Sequence, residues 1–450
     1  MRLEELLKLM EATGHLNSVQ EIILRQAWES KTYSNMAQEY HFDADYLKKV
    51  AHKLWHIVSA LLGKSISKVT FRSIVESLET TPQQQQLITN YHFHLQQQTL
   101  TSYNPSNTNP IEFPGHLIPL GSTFYIERPP LETIVFREIE QPGNIIWIKA
   151  PQKMGKSSLL ERIIARANSQ GYQTVIIDFQ QITVSHLQDL DQFFRWLCLN
   201  ITQKLELNLQ LDNCWQQEID SKVNCIRYFK QYLLPQINHP LVIGLDGTNL
   251  LSHSPSIIQE IVMLLRSCYE ESKRFEIMKQ IRFIVLHSTE IEIPFYPGYL
   301  NSIGLPIKLP PFSIGQTQEL ALRYQLDWAI EAEGIQQLKA LQRLLGGHPY
   351  LTQLAFYYLA QTDMTLDELL QQAPTMSGIY HDFLLHYLMI LNAQPQLANA
   401  YKQVIHSEHS LKLNPVLAHQ LENMGLVTLR GNQIIPSCQL YQLYFATHLG

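Results

Sequence analysis

The residues best suited to chemistry lie in the run IIWIKAPQKMGKSSLLERI, residues 145–163. At its centre stand Ala150-Pro151-Gln152-Lys153-Met154-Gly155-Lys156-Ser157, which departs from the phosphate-binding pattern GxxxxGK[ST] only at the first glycine. In such a loop, backbone N–H groups wrap phosphate oxygens, and the dipole of the following helix favours anions. Lys156 is placed to reach the β- and γ-phosphates of ATP, or the β-phosphate of ADP, Ser157 to ligate Mg²⁺, and Gly155 to let the backbone approach closely. Pro151, Gln152, Lys153, Met154 and Ser158 are the other candidate contacts of the loop. Alanine tolerates positive φ poorly, so a turn needing that conformation at Ala150 is strained.

A second acid belongs with this loop. The apolar run LVIGLD ends in Asp246, the place of an Mg²⁺-associated carboxylate at a strand end. Gly247, Thr248 and Asn249 follow, so no glutamate stands next to it to activate water. That favours binding over fast hydrolysis. The run RFIVLH then ends in His287-Ser288-Thr289-Glu290. His287 is a candidate γ-phosphate sensor, and Glu290 a candidate substitute for the missing base. A polar strand end facing solvent is the competing account.

These residues need a particular scaffold. The runs 145–150, 174–179, 241–246 and 282–287 are strand-length, rich in Val and Ile, and separated by helical patterns. Continuous apolar strands alternating with helices predict a parallel sheet covered on both faces. The expected organisation is multidomain, α and α/β. It comprises a helical helix-turn-helix domain over 1–78, a linker over 79–122 rich in Gln, Asn, Ser and Pro, and an NTPase core over 123–312. A helical lid over 313–398 and a winged-helix-like unit over 399–450 complete it. In the last unit a helix, Gly425, a strand, Gly431-Asn432 and a return strand spell a hairpin.

Near the N-terminus, Asn17 or Ser18 caps a helix that runs through Trp28. A short helix over Asn35–Tyr40, a turn at His41-Phe42-Asp43 and a long helix over Ala44–Leu62 follow. Between Asp45 and Glu76 six Lys or Arg residues occur without an acid. Lys48, Lys49, His52 and Lys53 lie largely off the apolar stripe of the long helix, a face that can meet DNA through residues 32–62. A protein-docking adaptor is the alternative.

Composition narrows the classes. The chain has 450 residues, 45% hydrophobic, with a net charge of −6, which exerts no global pull on nucleic acid. No apolar run approaches the ~18 residues of a membrane span. No signal-peptide pattern opens the chain, so a cytoplasmic location is expected. Five scattered cysteines argue against a disulfide scaffold or a zinc ribbon.

Taken together, several motifs resemble the AAA-like, STAND-class P-loop ATPases of cyanobacterial type. They are Tyr125-Ile126-Glu127-Arg128-Pro129, Pro151, Met154-Gly155-Lys156-Ser157-Ser158-Leu159, the run Asp191–Trp196, Leu264-Leu265-Arg266, His287-Ser288-Thr289-Glu290, and Gly346-Gly347-His348-Pro349-Tyr350-Leu351. The resemblance implies that Arg128 and Pro129 lie near the adenine side. It also implies that Gly347-His348-Pro349 sits in a lid that touches the nucleotide, making His348 and Pro349 binding residues. Residues 16–68 resemble the N-terminal helix-turn-helix domain of such proteins, itself similar to the DNA-binding region of sigma factors. The departures at Ala150, Gly247 and Asn249 point to a switch that binds nucleotide and hydrolyses it weakly or not at all. An active ATPase using Glu290 or a partner residue, and a degenerate scaffold without a nucleotide site, are the alternatives. A protein partner or self-association is expected.

Overall fold

Apolar residues three and four apart make the N-terminal segment helical and give each helix one buried stripe. The computed structural model describes residues 2–12, 18–40, 44–64, 66–78, 111–208, 210–290, 303–407, 413–431 and 433–449. Between Pro110 and Ile111 the chain divides into two compact units.

The first unit contains the helices Leu3–Ala12, Ser18–Trp28, Tyr33–Tyr40, Ala44–Leu62 and Phe71–Glu76. The long helix has the expected bounds. Its buried seam is Leu47, Ala51, Leu54, Trp55 and Val58, while Val50, Ile57 and Leu61 are half-buried. Trp28 and Trp55 close on Phe71, with ring centroids 5.6 and 5.2 Å away. Trp55 donates its indole N–H to Tyr33 Oη at 2.9 Å. The expected cap Asn17 and turn 41–43 lie outside the described residues.

The second unit begins at Ile111, so only residues 79–110 of the expected linker lie outside it. Residues 111–122 run against the helix after the loop. Ile118 N–H donates to Ser158 Oγ, and Arg162 donates to the carbonyls of Ile118 and Pro119.

All four expected strand runs are strands: β1 (Ile145–Ala150), β2 (Gln173–Asp178), β3 (Leu241–Asp246) and β4 (Ile281–Ser288). A fifth, β5 (Leu305–Lys308), was not legible because it is short and contains Pro306. Proline lacks a ladder donor and fits an edge, and β5 pairs only with β1. The order is β2-β3-β4-β1-β5, and all pairs are parallel. Side chains alternate between faces. Ile145, Trp147, Ile243 and Phe283 meet a layer drawn from Leu190–Lys204, Ser221–Tyr228 and Pro255–Ser272. Ile146, Ile148, Val242 and Ile284 meet the helices Leu131–Glu140 and Lys156–Ser169.

Beyond β5 the chain is helical up to the antiparallel hairpin β6 (Val427–Arg430) and β7 (Gln433–Pro436). One hydrophobic core runs from Ile126 and Phe312 to Leu449, and residues on both sides of position 399 contribute to it. All five cysteines are free and buried. Among the described residues, no helix is long and apolar enough to cross a membrane.

Leu160 fixes the loop helix on the sheet. It is 1% exposed and fills the hollow over Gly244, where a Cβ would come within 2.9 Å of it. Leu160→Ala is expected to destabilise the chain by about 2–5 kcal/mol in denaturant unfolding.

Candidate functional site

β1 delivers the chain to the loop, and its last residue, Ala150, pairs with Ser288 in regular parallel register. Ala150 is therefore extended and unstrained. The positive φ values of the loop fall instead on Lys153 (57°) and Gly155 (90°). For Lys153 that conformation costs of order 1 kcal/mol, and its ammonium lies 3.9 Å from the centre of the Tyr350 ring. At Gly155 two constraints meet. The backbone is left-handed where the helix Lys156–Ser169 starts, and a Cβ would stand 3.0 Å from Arg128 Nη2.

Lys156 turns back into the loop. Its Nζ donates to the carbonyls of Ala150 at 2.9 Å and Pro151 at 2.8 Å. Burial lowers its pKa to about 8, and the carboxylates of Glu290 and Asp246 oppose that fall. The loop lysine and the two acids therefore share one electrostatic site. Ser157 is partly exposed on the first turn of the helix.

Asp246 lies on the sheet face that meets the loop helix, because it alternates with Gly244 and Val242. Its Oδ1 accepts the N–H of Gly247 at 2.6 Å. Gly247 is left-handed at φ 73°, and a Cβ there would stand 3.1 Å from Asp178 Oδ1.

Four expected contacts are placed differently. His287 follows Phe283 and Val285 onto the opposite face of the sheet. There it lines a small apolar cavity with Trp147, Thr248, Leu251 and Ile258. Burial first, then Lys149 and Lys156, lower its pKa to about 3, so the ring is neutral. Ser158 is buried and accepts Ile118 N–H, which turns it away from the loop mouth. Arg128 is 3% exposed and braces the loop from behind: Nη1 donates to Met154 O at 2.8 Å. Both oxygens of Glu132 accept its backbone N–H. Glu290 Oε1 accepts the N–H of Gln152, so its carboxylate is tied to the loop itself.

His348 and Pro349 begin the helix Pro349–Gln361. His348 is 9% exposed, and neither ring nitrogen has a hydrogen-bond partner. Burial lowers its pKa to about 3; the nearby backbone of Gln152 opposes that fall, and Lys156 and Lys153 add to it. The Gly347-His348-Pro349 motif thus brings a neutral imidazole close to the loop lysines and the backbone of Gln152. A polar groove of about 650 Å³ opens beside Pro129, lined by Tyr125, Glu127, Arg162, Gln316 and Arg323. In the first unit Lys48 and His52 are exposed on the long helix, while the side chains of Lys49 and Lys53 are outside what is described. Lys68 lies over the Tyr33 ring, and Arg72 lies over Trp28 and pairs with Glu76.

A parallel sheet carrying a GK[ST] loop between a strand and a helix, with an aspartate at a neighbouring strand end, defines the P-loop NTPase class. Residues 113–447 match the AAA-like domain family, and the chain belongs to it. Residues 3–78 match the N-terminal helix-turn-helix of vWA-MoxR associated proteins. No curated protein matches. Among solved structures, the Walker-type ATPase PABY2304 of Pyrococcus abyssi is similar at 12% identity and a TM-score of 0.50, over 72% of this chain and 96% of that one. The ORC2 protein of Aeropyrum pernix, solved as ADPNP-ADP complexes, is similar at 14% identity and a TM-score of 0.41, over 75% of this chain and 95% of that one. At these identities the likeness concerns the fold.

Tyr387 and Arg162 border the site without any motif to announce them, and Tyr350 stands inside the quoted motif 346–351 without having been singled out. Their roles depend on which distant segments meet there. The low pKa of Lys156 has a measurable consequence. Its folded value lies below the ordinary 10.5, so the ammonium loses its proton as pH rises through about 8. Affinity for ADP is expected to weaken by up to about tenfold per pH unit above that point. Titrations between pH 7 and 10 check this, and an affinity that stays flat across that range would contradict it.

Proposed function

We propose that this chain is an ATP-binding regulatory switch of the STAND type, held by the loop and the helical lid, with weak or no hydrolysis. The observation that carries the reading is the left-handed turn at Gly155 with Lys156 folded onto the loop carbonyls, within the field of the Asp246 and Glu290 carboxylates. Gly155, Lys156 and the loop amides would hold phosphates, and His348 and Pro349 would close from the lid. Ser157 and Asp246 supply hard oxygen donors of the kind Mg²⁺ prefers. The polar groove beside Pro129 is the candidate place for the base and ribose.

Weak turnover follows from Gly247. The usual position of a water-activating glutamate is here left-handed and crowded by the Asp178 carboxylate. A glutamate side chain there meets both backbone strain and like-charge repulsion.

The output is assigned to the N-terminal helix-turn-helix, acting on DNA or on a protein partner in the cytoplasm. Of the six cations between Asp45 and Glu76, Lys68 and Arg72 already lie over aromatic rings, which favours the protein partner. The winged-helix-like hairpin adds a second packing or partner surface.

Lys156→Ala is expected to abolish ATP binding, and wild-type protein that binds no Mg²⁺-ATP at millimolar ligand would refute the switch. Gly247→Glu should leave steady phosphate release no faster than wild type and lower stability by about 1–3 kcal/mol. A clear gain in release would contradict the account of that turn. If DNA is the output, affinity falls steeply with salt, and replacing Lys48, Lys49 and Lys53 lowers the log–log salt slope by about 2–3. No DNA shift at low salt leaves the protein partner.

A further inference from the structure

We infer that Glu290 is an internal stand-in for a phosphate and a latch. Its carboxylate occupies a loop N–H that nucleotide phosphate would take, and through Tyr387 it ties the filling of the loop to the seating of the C-terminal helices. This inference rests on the nucleotide reading above.

The contacts form one chain. Gln152 N–H donates to Glu290 Oε1, and the same oxygen accepts the hydroxyl of Tyr387 at 3.3 Å. Tyr387 lies on the helix His381–Asn392, is fully buried, and packs edge-on against Phe383 at 5.3 Å. The residue before Glu290 works in parallel. Thr289 N–H donates to Ala150 O at 3.1 Å, and Thr289 Oγ donates to Asn423 O at 2.5 Å. Asn423 ends the helix Pro415–Asn423. Two residues on, Gly425 approaches Pro151 so closely that a Cβ would stand 2.8 Å from its Cγ. The end of β4 thus touches the loop on one side and two C-terminal helices on the other.

The carboxylate uses the interactions a phosphate oxygen would use: a loop N–H and the field of Lys156. One N–H serves one strong acceptor, and two adjacent anions repel. A bound phosphate must therefore expel Glu290. Expulsion removes the carboxylate acceptor of the buried Tyr387 hydroxyl and leaves it only the side chain of Gln152, a weaker partner. The seat of the C-terminal helices is weakened, and by reciprocity loosening that seat strengthens nucleotide binding.

The test uses the full chain and two variants, Glu290→Ala and the gentler Tyr387→Phe. In nucleotide-free protein, hydrogen exchange at residues 150–155 and 381–392 should be at least several-fold faster in Glu290→Ala than in wild type. Unchanged exchange in both variants overturns the latch whether or not nucleotide binds. In ADP titrations both variants should bind about three- to tenfold more tightly than wild type. Wild-type binding with equal or weaker binding by both variants overturns the competition and leaves the nucleotide reading standing. No ADP binding at millimolar ligand by wild type or by Glu290→Ala overturns the nucleotide reading and the competition together, while exchange still decides the latch.

Discussion

A buried ammonium is the constraint around which the second unit is organised. Lys156 sits inside a turn of the backbone, and removing it from water disfavours its charge enough to lower its pKa to about 8. Such a cation persists only where oxygen atoms surround it. Two carbonyls of its own loop and the fields of Asp246 and Glu290 meet that need. The loop must therefore be held rigidly, and Arg128 holds it from below through Met154 O. A phosphate at the same place would answer the same charge, which is why this site reads as a receptor for anions.

The period of two along a strand decides which strand-end residues can reach that cation. Asp246 shares a face with Gly244 and Val242 and meets the loop helix. His287 shares a face with Val285 and Phe283 and meets the opposite layer. A shift of one residue in β4 would exchange the roles of His287 and Ser288. The same geometry lets the chain beyond β4 turn across the loop mouth, where Thr289 and Glu290 contact both the loop and the C-terminal helices. The helices beyond β5 and the hairpin share one core. A movement of one of them is consequently felt by the others.

Much of the fold was legible because its signals are local. The four long strands announced themselves as apolar runs bounded by helical patterns, and the long helix of the first unit by its 3.6-residue stripe. β5 escaped because four residues containing Pro306 carry too little pattern. The strand order also escaped, since no local feature states which strands become neighbours. Within the site, the motif placed Gly155, Lys156 and Asp246 together. It did not reveal that the strained residue is Lys153 and not Ala150. That depends on where β1 stops, and β1 continues through Ala150 because Ser288 pairs with it.

By itself the order of residues determined a phosphate loop between a strand and a helix, an acid at a neighbouring strand end, and a glycine where a water-activating glutamate would stand. These are short-range facts, set by backbone preference and by residues within one turn of each other. Tertiary structure alone decided that Arg128 lies behind the loop, that His287 faces away from it, and that Glu290 rests on Gln152 with Tyr387 beside it. Each of those outcomes joins segments tens to hundreds of residues apart. Packing selects such partners, because a buried charge or hydroxyl takes whichever acceptor or donor the assembled core brings within reach.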